Sequence, residues 1–309
     1  MSIVHCKIPR AGLGNQLFPL LKAYVFADLN ELPVCVTGYY QFRIGPYLRN
    51  EKIKRNYTNY FKFEKNILSS FWEDYKLKSW SPNRIIKEPE LDKIENALNN
   101  KILYQFSAFP HWSDFFKGLR EHRELVERLV QDLLKKQIKQ QIELQKPPCI
   151  GVHIRRGDFR ALKKGEEFHK VGSTRTDDRY FIDCIQSIRK LHGQCLPASI
   201  FTDGYKHELS KILELENVNL VEGNPDIVDM LLLSKSQILI TSAGSTFGYW
   251  AGFLANAPII IHYDHLHNPL RPAEINLKFY EGPLILGQPD SLLIKNIKEI
   301  NNFEYQTNF

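Results

Sequence analysis

Four polar side chains, two of them arginines that could bind an anion, follow a short apolar stretch in the middle of the chain. Residues 149–152 come directly after two prolines, which stop a helix, so they predict a buried strand entering a sheet. The strand leads into His153, Arg155, Arg156 and Asp158. Ligands of open α/β sheets lie just beyond the carboxyl ends of strands, and a guanidinium group binds phosphate oxygens two at a time. The sequence therefore predicts an anion site here, or alternatively an internal arginine–aspartate ion pair.

A second candidate anion site lies where a strand predicted over residues 237–241 runs into small residues and hydroxyls. A helix begins there at Thr246. The N–H groups of its first turn, together with the hydroxyls of Ser245 and Thr246, would form a pocket suited to phosphate. The alternative is a helix capped by a serine or threonine, with Phe247 and Trp250 in the core. The two interpretations are compatible with each other.

A carboxylate at the end of a third predicted strand could bind a base. Asp203 follows the strand predicted over residues 198–202, in the same half of the chain as His153. A carboxylate can accept two hydrogen bonds from guanine, one from the ring N–H and one from the amino group. The surrounding turn residues equally favour an Asx turn or a helix cap at Asp203.

The N-terminal part of the chain has a strand, a glycine turn and a helix in succession. The strand is predicted over residues 3–8, and residues 12–18 read Gly-Leu-Gly-Asn-Gln-Leu-Phe. Such a turn points backbone N–H groups at a ligand, although this one lacks the third glycine of a dinucleotide site and the lysine of a P-loop. Asn15 is the candidate ligand-side residue, and a helix cap is its alternative role.

Together these motifs resemble glycosyltransferase family 11, the α1,2-fucosyltransferases of the bacterial type. The His-x-Arg-Arg-x-Asp pattern at residues 153–158 is similar to the first signature of fucosyltransferases. Residues 12–18 and the Ser-Thr-Phe-x-x-Trp pattern at residues 245–250 are similar to two further motifs of the family. The three matches occur in the family's order and span residues 11–251.

The resemblance implies an α/β fold of the GT-B-like kind, with two Rossmann-like domains facing across a cleft. The alternation of strands and helices in the second half independently predicts a parallel sheet. An amphipathic helix predicted over Leu119–Leu144 and ended by prolines marks the boundary. We therefore expect an N-terminal acceptor-side domain at residues 1–147 and a C-terminal GDP-fucose-binding domain at residues 148–309. The last stretch of about 45 residues is a candidate to pack back on the first domain.

The implied activity is inverting transfer of L-fucose from GDP-β-L-fucose to the 2-hydroxyl of a galactose in a glycan. A surface polysaccharide or O-antigen unit is the expected acceptor. Residues 39–115 are rich in aromatic residues, most of them expected in the core and a few in contact with the acceptor. One alternative is another GDP-fucose-dependent transferase, of the α1,6 or protein O-fucosyltransferase kind. The other is a non-catalytic glycan- or nucleotide-binding protein.

The resemblance also implies roles for particular residues. The donor would be bound by Asn15, His153, Arg155, Asp203, Ser245, Thr246 and Phe247. Arg155 and Asp158 are the expected catalytic residues: Arg155 would lie on the diphosphate, and Asp158 is the nearest candidate base unless it pairs with Arg156. Other candidate bases follow in the next loop, namely Glu166, Glu167 and His169. The departing phosphate could also take the proton.

The composition favours a folded protein whose mild positive charge is compatible with an anionic small substrate or an anionic membrane surface. Hydrophobic residues make up 43% of the chain, and a net charge of +6 is too small to indicate nucleic-acid binding. The sequence contains neither Asp-x-Asp nor Cys-x-x-Cys, so no metal or other cofactor is expected. Scattered cysteines, no signal peptide and no apolar run of about 18 residues predict a cytoplasmic location. A basic helix face near Lys135 could allow peripheral contact with the inner membrane, where a lipid-linked acceptor would lie.

Overall fold

Two units with parallel sheets make up the protein. The computed structural model describes residues 2–39, 41, 44–48, 50–52, 54, 57–62, 75–77, 79–93, 101–167, 170–264 and 268–300. Contacts divide the chain into a first unit, Met1–Tyr47 with Lys54–Glu143, and a second unit, Leu48–Ile53 with Leu144–Phe309. Each unit carries a parallel sheet with helices, so the predicted α/β class of fold with two sheet-containing units is confirmed. The predicted domain boundary at residue 147 stays a prediction.

The first unit is built on a four-stranded sheet. Its strands are β1 (Ile3–Lys7), β2 (Val34–Thr37), β3 (Arg84–Lys87) and β4 (Ile102–Phe106), all parallel and in the order β2-β1-β4-β3. Its described helices are Leu13–Leu29, Arg123–Leu133 and Lys136–Glu143, with a 3-10 turn at Arg120–His122. The Leu13–Leu29 helix is buried along most of its length, because apolar side chains occupy nearly every position.

The prediction of one long helix over Leu119–Leu144 is wrong, because the chain forms two helices there. Leu134 lies between Arg123–Leu133 and Lys136–Glu143 in an extended conformation, with φ −70° and ψ 138°. It is fully buried and forms an antiparallel bridge with Phe61. Two backbone hydrogen bonds flank the bridge, at 2.8 and 3.0 Å. The hydrogen bonds to residues 60–62 take the place of helical hydrogen bonds at the break. The apolar residues nevertheless keep the spacing of a continuous helix, which is why the sequence pattern does not reveal the break.

The second unit is built on a six-stranded sheet. Its strands are β5 (Ile150–Ile154), β6 (Ala198–Thr202), β7 (Val218–Leu220), β8 (Ile238–Thr241), β9 (Ile259–Ile260) and β10 (Glu281–Gly282). The order is β10-β9-β8-β5-β6-β7, and all pairs are parallel. Its helices are Asp178–His192, Ser210–Leu213, Asp226–Ser234, Thr246–Leu254, Ala273–Asn276 and Ser291–Lys298, whereas the short helix Gly45–Leu48 belongs to the first unit except for its last residue. Between β6 and β7, a 3-10 turn at Lys206–Leu209 leads directly into the single turn of the Ser210–Leu213 helix.

The core of the second unit surrounds the central strand β5. Every residue of β5 is buried, as expected for a parallel strand covered on both faces. The Asp178–His192 helix packs Phe181, Ile185 and Ile188 into this core, and the Ser291–Lys298 helix joins it. Asp177 caps the first of these helices by accepting a hydrogen bond from the Arg179 N–H, at 2.8 Å. The core therefore fixes the carboxyl end of β5, where the polar motif begins.

None of the helices in the described ranges is both long and apolar enough to cross a membrane.

Candidate active site

The three motifs of the second half meet at one edge of the second sheet. Strand β5 lies between β6 and β8, with His153 paired to Phe201 on one side and to Thr241 on the other. Because all three strands are parallel, the segments that follow them leave the sheet at the same edge. The structure therefore brings together the loops that begin at Arg155, Asp203 and Ser242.

Arg155 lies at this edge between two carboxylates. One of its terminal nitrogens donates to Asp158 Oδ1 at 2.6 Å, and the other is 2.6 Å from Asp203 Oδ2. Its guanidinium carbon is 5.3 Å from the centre of the Phe159 ring. The side chain is 18% exposed, so its charge is reachable from solvent while its geometry is fixed. A fork held in this way can present two N–H groups to a phosphate.

Arg156 points the other way, into the protein. The residue is only 3% exposed, and its guanidinium forms an ion pair with Asp178. One terminal nitrogen donates to the backbone carbonyls of Arg155 and Thr176, at 3.3 and 3.2 Å. Burial lowers the pKa of Arg156, and the carboxylate of Asp178 opposes that shift. The predicted pairing of Arg156 with Asp158 is wrong, because Asp178 already fills the buried position and Asp158 binds Arg155.

Asp203 holds the two strand ends together. Its Oδ1 accepts a hydrogen bond from the Arg156 backbone N–H at 2.7 Å, while Oδ2 faces Arg155. The two loops approach so closely that a Cβ atom on Gly157 would lie 2.2 Å from Asp203 Oδ2, and one on Gly204 would lie 2.6 Å from Arg156 Cβ. The alternative role of Asp203 as a local cap is not what the structure shows, since its carboxylate binds across to the neighbouring strand end.

His153 is a buried, neutral imidazole. The residue is 4% exposed, and its ring stacks on Phe247 with the ring centres 5.0 Å apart. Among the described residues, its Nδ1 has no hydrogen-bond partner. Burial, and secondarily the charge of Arg155, lower the pKa of His153 from 6.5 to about 3. The imidazole is therefore uncharged throughout the ordinary working range of pH.

The loop between β8 and the Thr246–Leu254 helix is tied to Arg155. Ser242 Oγ accepts a hydrogen bond from the Arg155 backbone N–H at 2.8 Å and donates to the His153 carbonyl at 3.1 Å. The next residue, Ala243, donates its backbone N–H to Thr176 Oγ1 at 3.0 Å. These bonds place the start of the helix beside the arginine motif.

The helix start itself has the composition of an anion site. Ser245 is the N-cap and is buried, whereas Thr246 and Phe247 are partly exposed. The Ser245 side chain makes no capping hydrogen bond, so the predicted hydroxyl cap is wrong. No acidic residue occupies the first turn. The positive end of the helix dipole is therefore not offset by a carboxylate of its own helix.

Sequence reasoning missed three residues that support this edge. Ser242 was within a recognised motif but had no role assigned, and Thr176 and Asp178 were not singled out. Thr176 binds the β8 loop through its hydroxyl and Arg156 through its carbonyl. A signal was available only for Asp178, because two aspartates precede the apolar face of the Asp178–His192 helix.

Asn15 and Gln16 lie in the first unit, near the start of the Leu13–Leu29 helix. The N-cap is Gly12, so the alternative role of Asn15 as a cap is wrong. Asn15 is partly exposed. Gln16 is 8% exposed and donates its side-chain amide to the Pro9 carbonyl at 3.1 Å, so it helps to hold the glycine turn.

The candidate bases in the loop after the motif differ in their surroundings. Glu166 accepts two hydrogen bonds from Arg160, at 2.7 and 2.9 Å, and one from the Lys163 backbone. The hydrogen bonds from Arg160 lower the pKa of Glu166 to about 2, so it is a poor proton acceptor. Glu167 pairs with Lys170 at 2.8 Å. His169 lies outside the described residues. Asp158 is one of the two carboxylates next to Arg155, the other being Asp203.

Across the described part of the chain, no group of three or more His, Cys, Asp or Glu side chains could hold a metal ion. Metal-independent activity stays a prediction.

The two α/β units and the cationic strand edge agree with what the sequence resemblance implies. Residues 9–264 match the family described as Glycosyl transferase family 11, and the chain belongs to that family. Its class is therefore that of the GDP-fucose-dependent fucosyltransferases. No curated protein matches this chain.

Several solved structures are similar to the chain at low identity. NodZ α1,6-fucosyltransferase soaked with GDP-fucose is 14% identical, with 87% of this chain and 98% of that chain covered and a TM-score of 0.49. POFUT1 in complex with GDP is 13% identical, with 84% and 98% covered and a TM-score of 0.48. A mutant of Arabidopsis thaliana FUT1 in complex with GDP is 14% identical, with 92% and 77% covered and a TM-score of 0.45.

Proposed function

We propose that the protein transfers L-fucose from GDP-β-L-fucose, with inversion, to the 2-hydroxyl of a galactose in a glycan. The observation that carries this proposal is the position of Arg155. Its guanidinium is partly exposed at the carboxyl end of β5, and its backbone is bonded to the loop that starts the Thr246–Leu254 helix. A fixed cation beside a helix N-terminus suits a nucleoside diphosphate.

In the proposed reaction, the acceptor hydroxyl attacks the anomeric carbon from the face opposite the diphosphate. The bond from carbon 1 to the acceptor oxygen forms as the bond from carbon 1 to the phosphate oxygen breaks. Arg155 and the helix N-terminus then stabilise the charge that develops on the departing diphosphate. The acceptor proton goes to Asp158 or to the departing phosphate.

The carboxylates around Arg155 suggest how the donor is recognised. A diphosphate would take the place of Asp158 and Asp203 on the guanidinium, because it offers the same paired oxygens. Asp203 could then accept hydrogen bonds from the guanine ring N–H and amino group. In this proposal His153 and Phe247, which stack on each other, form the wall of the base site.

The choice of a galactose 2-hydroxyl as the acceptor is supported by the sequence motif at residues 245–250, which is similar to the corresponding motif of the α1,2-fucosyltransferases. We propose a galactose of a surface polysaccharide or O-antigen unit, carried on a lipid at the cytoplasmic face of the membrane. The Lys136–Glu143 helix buries Ile138 and Ile142 and leaves Lys136 exposed, as a surface that contacts anionic lipid would require.

The test is a transfer assay with GDP-fucose and a panel of acceptors. The panel contains β-galactosides, glycans without galactose whose sugars carry a free 6-hydroxyl, and a folded protein domain that carries serine and threonine acceptors. Product linkage is read by NMR, and Arg155→Ala serves as the impaired control. An α1,2-linked fucosyl galactoside supports the proposal. Transfer only to the other acceptors would replace the proposed linkage, and GDP binding without transfer or donor hydrolysis would indicate a non-catalytic protein.

A further inference from the structure

A short loop of the first unit presents two large aromatic side chains to solvent. Residues 107–114, here called the aromatic loop, follow β4 and contain Phe109, which is 51% exposed, and Trp112, which is 59% exposed. Exposed aromatic groups close together in one loop are typical of interaction sites. By contrast Phe115 and Phe116, directly after the loop, pack on Phe18.

The position of the aromatic loop in the sheet favours a ligand rather than an incidental surface. The loop leaves the carboxyl end of β4, and β4 pairs with β1 near the middle of the four-stranded sheet, with Phe106 opposite Cys6. This is the edge of a parallel sheet at which ligands bind. The glycine turn that follows β1 leaves the sheet at the same edge, in the same unit.

The aromatic loop is held at both of its ends. At its start, Glu88 Oε1 accepts hydrogen bonds from the backbone N–H groups of Ser107 and Ala108, at 2.6 and 2.7 Å. At its end, Asp114 forms an ion pair with Arg120. Between these anchors, His111 Nδ1 and Ser113 Oγ are 2.7 Å apart. Exposed rings on an anchored loop lose little conformational freedom when a ligand packs on them.

The anchor residue is itself in an unfavourable backbone conformation. Glu88 has a φ of 48°, in the left-handed region that residues with a Cβ atom seldom adopt. Its N–H nevertheless bonds to the Gln105 carbonyl at 2.8 Å while its carboxylate reaches across to the aromatic loop. Backbone strain of this kind concentrates at ligand-binding segments.

We propose that Phe109 and Trp112 form the surface on which the galactose of the acceptor glycan packs. This inference rests on the proposed function, which supplies the acceptor. One face of a galactose ring carries only C–H groups, because its axial hydroxyl points to the other face, and such an apolar face packs on an aromatic ring. His111, whose ring centre is 5.5 Å from that of Trp112, extends the aromatic surface and adds a polar group for sugar hydroxyls.

The first measurement is steady-state transfer by the full chain with Trp112→Ala. We expect the KM for a β-galactoside to rise at least about tenfold, while the dissociation constant for GDP stays within about twofold. Trp112→Phe should recover much of the lost affinity, because it keeps a ring. Tyr75→Ala is the matched control, since Tyr75 is a 63% exposed aromatic of the same unit outside the loop. An unchanged KM in Trp112→Ala, or an equal rise in Tyr75→Ala, overturns the inference.

The second measurement is saturation-transfer NMR of methyl β-galactoside with the same proteins, without donor. We expect contacts to the C–H face of galactose in the wild-type protein and their loss in Trp112→Ala. This readout separates the two proposals. If no galactoside accepts fucose but Trp112→Ala abolishes the NMR contacts to galactose, the proposed reaction is wrong and the proposed galactose surface is supported. If transfer occurs and galactoside binding is unaffected by Trp112→Ala or Phe109→Ala, the reaction stands and the galactose surface is wrong.

Discussion

Substitution of the buried arginine of the motif should separate stability from activity. Arg156→Ala removes a side chain that is 4% exposed, pairs with Asp178 and donates to the carbonyls of Arg155 and Thr176. The aspartate and both carbonyls lose their partner, while the backbone bond from residue 156 to Asp203 is kept. Loss of one partner from a buried ion pair costs about 3–5 kcal/mol.

The expected cost lies at the lower end of that range, because the Asp178 side chain is 25% exposed and water can partly solvate it. For a unit of this size, each kcal/mol shifts the melting temperature by roughly 2–4 °C, so a loss of about 3 kcal/mol predicts a fall of about 6–12 °C. Transfer by Arg156→Ala should fall only as far as the protein unfolds at the assay temperature.

The matched control is the neighbouring substitution, Arg155→Ala. Its side chain is partly exposed and its two carboxylate partners can be reached by water, so we expect a shift in melting temperature less than half as large. Single-turnover transfer should nevertheless fall at least about 100-fold, the scale seen when one stabilising donor is lost. Both variants are measured by calorimetry and by rapid-quench transfer below the melting transition. Near-normal transfer by Arg155→Ala, or equal destabilisation by the two variants, would refute the assigned roles.

Three further outcomes can be checked. Transfer should persist in excess EDTA; complete loss that manganese or magnesium restores would show a metal requirement. As the pH falls from about 6.5 to 4, the wild-type protein should lose roughly 1.4 kcal/mol of stability per pH unit more than His153→Asn. The reason is that the unfolded chain binds a proton at His153 in this range, whereas the folded protein, with a His153 pKa of about 3, does not. An equal loss of unfolding free energy in the two proteins would contradict this. Burial raises the pKa of Asp229 to about 7, although Asn224 donates to it at 2.9 Å. Asp229→Asn should therefore be the more stable protein at pH 8.5, and its advantage should shrink by roughly 1.4 kcal/mol per pH unit as the pH falls below about 7, because the folded protein then binds a proton at Asp229 that the unfolded chain, with its ordinary pKa of 3.8, does not; a melting advantage independent of pH would show another cause.

Much of the second unit could be predicted from local sequence. The central strands are continuous apolar runs, and their helices show regular apolar faces with recognisable starts, as at Asp177. The opposite directions of Arg155 and Arg156 follow from the alternation of side chains along a strand, which depends only on their being neighbours in the sequence. These features depend on residues that are near one another in the chain.

The errors arose where distant residues decide the local structure. Leu134 leaves the helix because it meets Phe61, and no periodicity within residues 119–144 contains that information. Arg156 pairs with Asp178 rather than with Asp158. Asp178 begins a helix more than twenty residues further along the chain, and the fold places that helix start on the buried side of the strand end. The aromatic loop was equally hidden, since its exposure depends on how Glu88 and Arg120 hold its two ends.

The close approach of Gly157 and Gly204 to the neighbouring strand end has a consequence for protein engineering. A Cβ atom on residue 204 would overlap Arg156 Cβ, so even alanine there would force the ends of β5 and β6 apart. A Cβ atom on residue 157 would overlap the Asp203 carboxylate and displace it from Arg155. In a mutant library that varies every position of the chain, residues 157 and 204 should tolerate almost no residue other than glycine. Randomisation for altered acceptor choice is therefore better placed in the first unit, where the aromatic loop can vary while the spacing around Arg155 is kept.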